Sequence, residues 1–252
     1  MSLKVVGVLA ATFGAASMFV SMAQAAEIKV MTSQATKEAY LELVPQFEKA
    51  TEHKVTTIWA GTVDLRKRMT AGETADLVIG SAALIDELIA AGKIMPGSRV
   101  DIAKSGVGVA VRAGLPKPDI SSGDALKKAM LAAKSIAYST GPSGVYIAGL
   151  FQKMGIVDEI KSKIVQVKPG QPVGEAIARG EADIGFQQVS ELLPVKGIDY
   201  IGPLSADIQK ITVFSGGIHS GAKEVDAAKA LVKFLTAPAA VPVIKKTGME
   251  PG

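Results

Sequence analysis

Glu27-Ile-Lys-Val-Met-Thr-Ser-Gln-Ala35 runs from a short apolar strand into small hydroxyl residues that open a helix, and Trp59-Ala-Gly-Thr-Val-Asp64 repeats the arrangement. Working outward, residues 28–31 read as a strand and 37–49 as a helix with Ala39, Leu41, Val44 and Phe47 inward. Residues 55–59 are strand, 65–71 a helix ended by Gly72, 76–80 a buried strand, and 84–91 a helix that stops at Gly92. Strands alternating with amphipathic helices define an α/β fold with mainly parallel sheet. Each strand-to-helix turn leaves free N–H groups and hydroxyls at the positive end of a helix, which holds an anion without a lysine or a metal. The arrangement recurs at Tyr138-Ser-Thr-Gly-Pro-Ser-Gly144, and a fourth version is Pro169-Gly-Gln-Pro-Val173. The expected ligand is a small oxyanion or carboxylate.

At the amino end, Lys4, the uncharged run 5–20 and Ala23-Gln24-Ala25 fit a signal peptide over residues 1–25, which predicts export to the periplasm with Ala26 first in the mature chain. An uncleaved membrane anchor is the alternative; the many Ala, Gly and Ser residues and the Ala-x-Ala ending favour cleavage. No cysteine follows the run to carry a lipid. The 227 residues that remain suit one large α/β domain or two smaller ones. With no cysteine there is no disulfide, and stability rests on packing. Without Lys4 there are 27 basic against 24 acidic residues, a dispersed excess too small to point to nucleic acid.

In the middle of the chain a second sheet begins. Residues 107–111 are an apolar strand, followed by a turn-rich stretch to Asp119 and a helix over 124–133. Strands at 135–138, 164–167 and 182–186 alternate with helices at 145–154 and 174–178, and the strand 211–214 and helix 225–235 resemble the first half again. This predicts a discontinuous lobe 1 (26–106 and 208–252) and a lobe 2 (107–207). No flexible linker separates them, so extended strands must cross between the lobes and act as a hinge.

Four segments carry a resemblance to a known family. They are Leu65-Arg-Lys-Arg-Met-Thr-Ala-Gly-Glu-Thr-Ala-Asp-Leu-Val-Ile79, Pro142-Ser-Gly-Val-Tyr146, Phe151-Gln-Lys-Met-Gly155, and the less specific Gly180-Glu-Ala-Asp-Ile-Gly185. Over nearly the whole mature chain the protein resembles the periplasmic molybdate-binding proteins of ABC importers, within the type II bilobal solute-binding proteins. The resemblance implies two α/β lobes joined by a two-strand hinge, a ligand closed between them, docking on an inner-membrane ABC permease, and a monomer. Carried over, the ligand contacts fall on the 33–35 turn, with Ser33 or Thr32 supplying a hydroxyl, on Gly61 and Thr62, on Ser143, on the backbone N–H of Val173, and on Gln187 or Gln188. The chain departs from the pattern at Ala35, often a serine, at Gly61-Thr-Val63, often serine-rich, and at Gln188, commonly a tyrosine. Molybdate-like anions and di- or tricarboxylates therefore both remain candidates. Some exported proteins that look like this family are aconitate isomerases, which makes isomerase activity the alternative function.

Each candidate also has a plainer role. Ser33 and Thr62 are residue types that cap helices in any protein, although two of them at the ends of neighbouring strands stand at the edge where open α/β sheets bind ligands. Ser143 lies in Gly-Pro-Ser-Gly, which is not a nucleophile elbow. His53 and His219 are expected as solvated loop residues, so no catalytic residue is assigned. Metal-ligand spacing is absent, and neither a metal nor another cofactor is expected. Arg66, Lys67 and Arg68 read as a solvated helix face, with Arg66 as a carboxylate contact if it leans over the cleft. Trp59 belongs to the core or the cleft wall, and Tyr138 and Tyr146 to packing.

Overall fold

The computed structural model of the chain describes residues 25–252, so the leader assigned to 1–25 lies, apart from Ala25, outside the described residues. The first half is built of β1 (Glu27–Thr32), α1 (Lys37–Thr51), β2 (Lys54–Trp59), α2 (Thr62–Thr70), β3 (Leu77–Ser81), α3 (Ala82–Ala90) and the long β4 (Val100–Arg112). Then come α4 (Gly123–Ala132), β5 (Ile136–Tyr138), α5 (Pro142–Lys153), α6 (Val157–Ile160), β6 (Ile164–Gln166), α7 (Val173–Ala178), β7 (Ile184–Gln188), α8 (Val189–Leu192) and β8 (Ile198–Pro203). The chain closes with β9 (Ile211–Ile218), α9 (Val225–Leu235), α10 (Val241–Lys246) and β10 (Glu250–Pro251).

One path of strands, β2-β1-β3-β9-β4-β7-β5-β6, runs through the whole molecule, with β8 and β10 also paired to β4. β1 is parallel to β2 and β3, and β5 is parallel to β6 and β7. Both faces of each half are covered, which is why the strands read as near-continuous apolar runs. In β3, Leu77 and Ile79 pack on the α1, α9 and α10 side while Val78 packs with Leu65 and Ile85 of α2 and α3. In the second half, Val107, Val109 and Val111 of β4 face Phe151 and Phe186, and Ala110 faces Val173 and Ile177.

The lobes meet in β4. Its residues up to Gly106 pair antiparallel with β9, and from Val107 onward they pair with β7. Gln209, on the return crossing, clasps this point: its Oε1 accepts from Val107 N at 2.8 Å, and its Nε2 donates to Val107 O at 3.1 Å and Leu204 O at 3.2 Å. Two α/β lobes joined by crossing strands are thus the architecture expected from the sequence.

Several local expectations are corrected. Leu41 is half exposed, because Ala39, Tyr40, Leu43, Val44 and Phe47 form the buried stripe of α1. The first half of β4 has too many small and polar residues to show an apolar run, and β8, α8 and α10 likewise gave no pattern. Helices α2 and α5 begin earlier than predicted, at Thr62 and Pro142. His219 is buried rather than solvated, with Nδ1 accepting from Gly221 N at 3.0 Å, and burial beside Lys93 lowers its pKa.

Candidate functional site

Where β1, β2, β5 and β7 end, the following turns converge on a cavity of about 50 Å³ between the two halves. Ser33 caps the short 3-10 turn Gln34–Thr36, its Oγ accepting from Ala35 N at 3.3 Å, and also lines the cavity. The N-cap of α2 is Gly61, which offers no side chain to the helix's first N–H groups, and Gly61 and Thr62 both line the cavity. Helix α5 starts in the same manner, with Gly141 as N-cap and Pro142 in its first turn. There the Ser139 hydroxyl accepts from Gly141 N at 3.2 Å and lies 3.4 Å from the Ser143 hydroxyl. Gly144 is required beside it, because a Cβ at that position would overlap the Ser139 carbonyl. Two helices thus point uncapped starts at one space, where their dipoles favour negative charge.

The halves are in contact across this space. Gln34 Nε2 donates to Gly170 O at 3.0 Å, Ser190 Oγ donates to Ala35 O at 2.7 Å, and a Cβ on Gly61 would lie 3.1 Å from Gly170 N. The cleft is therefore closed.

Other sequence-predicted residues stand elsewhere. Thr32 is fully buried, its hydroxyl directed to Thr36 Oγ1 at 3.2 Å and away from the cavity. The N–H of Val173 is taken by Gln187 Oε1 at 2.8 Å. Gln188 borders the cavity, but its amide serves the crossing strands: the nitrogen donates to Ser105 O at 3.0 Å and Gly106 O at 3.2 Å, and the oxygen accepts from Thr212 Oγ1 at 3.0 Å. Arg66 pairs with Glu87 at 2.7 Å in a second groove of about 460 Å³ that Thr62, Thr140 and Gly141 also line, and Arg68 pairs with Glu73 at 2.6 Å. Trp59 stacks edge-on against Tyr40, with ring centroids 5.3 Å apart, in the first core. Among the described residues no cluster of three His, Cys, Asp or Glu side chains gathers as a metal-holding group.

Two charged residues of the cavity, Glu191 and Lys168, were not expected from the sequence. Glu191, in α8, lines the inner cavity and also an outer groove of about 440 Å³, which it shares with Gln34. Its Oε1 accepts from Gln187 Nε2 at 2.8 Å. Burial pushes its pKa up to about 7, with the hydrogen bonds from Gln187 and the Gln188 backbone drawing it partly back. Lys168 is the other charged residue of the inner cavity. The signal was an acid four residues after a cleft-strand glutamine, which is indistinguishable in sequence from any solvated helix residue.

A strand-end cleft lined largely with hydroxyl, amide and backbone groups and closed between two α/β lobes is the arrangement of a solute-binding protein. The model of the family described as bacterial extracellular solute-binding protein matches residues 28–250, and the chain belongs to that family. It is 37% identical to an aconitate isomerase from Pseudomonas sp, over 89% of this chain and 87% of that one. It is 29% identical to the molybdate-binding protein of Azotobacter vinelandii, over 92% and 93% of the two chains. Among solved structures, the Azotobacter vinelandii periplasmic molybdate-binding protein superposes with a TM-score of 0.74 at 22% identity, covering 89% of this chain and all but 1% of its own, a likeness of fold. The kinship expected from the sequence is therefore found, and the family is extracellular.

Proposed function

We propose that the cleft captures a small organic di- or tricarboxylate in the periplasm and that the closed protein, as a monomer, hands it to an inner-membrane ABC permease. Lobes 26–106 with 208–252 and 107–207 would close about the β4 and β9 crossing, and Ser33, Gly61, Thr62 and Ser143, joined by Ser139, would hold one carboxylate.

The observation that carries this reading is a carboxyl group, Glu191, in the wall of an otherwise donor-lined cavity. A fully ionised sulfate or molybdate meets repulsion from an ionised carboxylate. The proton that Glu191 holds below its pKa of about 7 can bridge it to an organic carboxylate in a short, charge-assisted hydrogen bond. Glu191 also borders the outer groove, where Lys37 and Lys196, beside Glu38 and Glu175, offer cations to further carboxylates of the same molecule.

A second reading, supported by the same carboxyl group and by the aconitate isomerase relative, is that the bound acid is isomerised rather than handed on. Both readings require a carboxylate site. Thermal unfolding with molybdate, sulfate, malate, citrate and cis- and trans-aconitate tests it, since a ligand that binds only the native state raises the melting temperature. The carboxylates should raise it most. A shift with molybdate or sulfate and none with any carboxylate refutes the proposal.

A further inference from the structure

Gln187 is locked in one orientation. Its Oε1 accepts the N–H of Val173 at 2.8 Å and that of Gly174 at 3.4 Å, so turning the amide over would set an NH₂ group against two donors. Its Nε2 is therefore always presented to Glu191 Oε1, at 2.8 Å. The start of α7 thus fixes the carboxyl of α8 through one intervening amide. In the same cavity the starts of α2 and α5 offer N–H groups and hydroxyls that can hold negative charge on an oxygen. An oriented carboxylate and a set of oxyanion donors sharing one small, closed space are what proton removal next to a carboxylate requires.

We propose that Glu191 is the proton-transferring residue of this cleft, acting on an unsaturated di- or tricarboxylate with an allylic C–H group beside a carboxylate. The inference rests on the second of the two carboxylate readings above, in which the bound acid is isomerised. In the first step the C–H bond breaks and an O–H bond forms on Glu191. The electron pair spreads through the adjacent double bond onto the neighbouring carboxylate, whose oxygens lie on the helix starts. Glu191 then returns the proton to the far carbon of the allyl unit, the double bond has moved one position, and the carboxylate is restored. Nothing is oxidised or reduced, and no co-reactant is needed.

The charged groups around Glu191 are Lys168 before α7, Glu175 on α7, Arg179 just after it, Lys37 and Glu38 on α1, and Lys196 after α8. Arg179 is engaged by Glu175 at 3.6 Å and Glu181 at 2.7 Å, and Gln187 supplies the direct contact to the carboxyl. Burial that holds Glu191 near neutrality suits a group that must both take and return a proton at neutral pH.

The test uses the protein with cis- and trans-aconitate as probes, reading binding by thermal shift and interconversion by proton NMR in D₂O. Wild type should interconvert the two acids, at a rate that rises with pH as Glu191 ionises. Glu191→Gln keeps the shape and the contact to Gln187; it should still show the thermal shift, while interconversion falls by about 10²- to 10⁴-fold, the usual contribution of a positioned acid–base group. Glu191→Asp, which shortens the reach but keeps the carboxyl, should retain part of the rate. Undiminished interconversion in Glu191→Gln, or binding without interconversion in wild type, overturns the proposal while leaving the carboxylate site intact. Absence of any carboxylate thermal shift refutes the site itself, and the proton-transfer role with it.

Discussion

Glu191 lowers stability when it ionises, because the folded environment withdraws water from its carboxylate. Its folded pKa is raised from the ordinary 4.5 to about 7, so between these values the folded chain holds a proton that the unfolded chain has lost. Stability therefore falls as pH rises through this window and is level above it. Glu191→Gln should remove that dependence, raising stability above pH 7 by on the order of 2 kcal/mol and changing little in acid, as measured by urea unfolding across pH. At this scale the sequence was partly legible. Ser33, Thr62 and Ser143 stood out because hydroxyls at strand-to-helix turns follow local rules of capping. Thr32 was equally plausible by residue type, and only its partner, Thr36, shows that it faces elsewhere, while Arg66 is held by Glu87 in a groove beside Thr62 and Gly141.

At the scale of the element, the starts of α2 and α5 are the anion-holding units. Thr62→Ala and Ser143→Ala should each weaken the best carboxylate ligand by ~1 to 2 kcal/mol while leaving the unliganded melting temperature nearly unchanged, as read by titration calorimetry and thermal unfolding. Gly144→Ala should behave differently. Its methyl group would strike the Ser139 carbonyl, so the α5 turn must move, and a loss of more than ~2 kcal/mol of stability is expected in chemical unfolding. Strongly periodic elements such as α1 were visible in the sequence, although its inward face was misjudged at Leu41, which lies two residues from Ala39 and Leu43 and so on the opposite side of the helix. The first half of β4 was invisible because Lys104, Ser105 and Gly106 interrupt the apolar pattern where the strand passes between the lobes.

In the whole molecule, function depends on closure. Gly61 and Gly170 let two backbones touch, and Gln34 and Ser190 add hydrogen bonds across the same seam. Gly61→Ala would place a methyl group 3.1 Å from Gly170 N, which should hold the lobes apart, weaken ligand binding by about 10-fold, and enlarge the ligand-saturated particle in small-angle scattering without unfolding it. Equal affinity and an unchanged scattering profile would show that this contact does not govern closure. The sequence by itself determined the α/β class, the alternation of strands and helices, and the hydroxyl-bearing helix starts, because each follows from periodicity and turn chemistry within a few residues. Tertiary structure alone decided which of those starts share a cavity, where the amides of Gln187 and Gln188 are spent, and why the pKa of Glu191 is raised. The physical reason is that each depends on burial and on contacts between distant parts of the chain, such as Ser190 with Ala35, 155 residues apart, and Gln34 with Gly170, 136 residues apart.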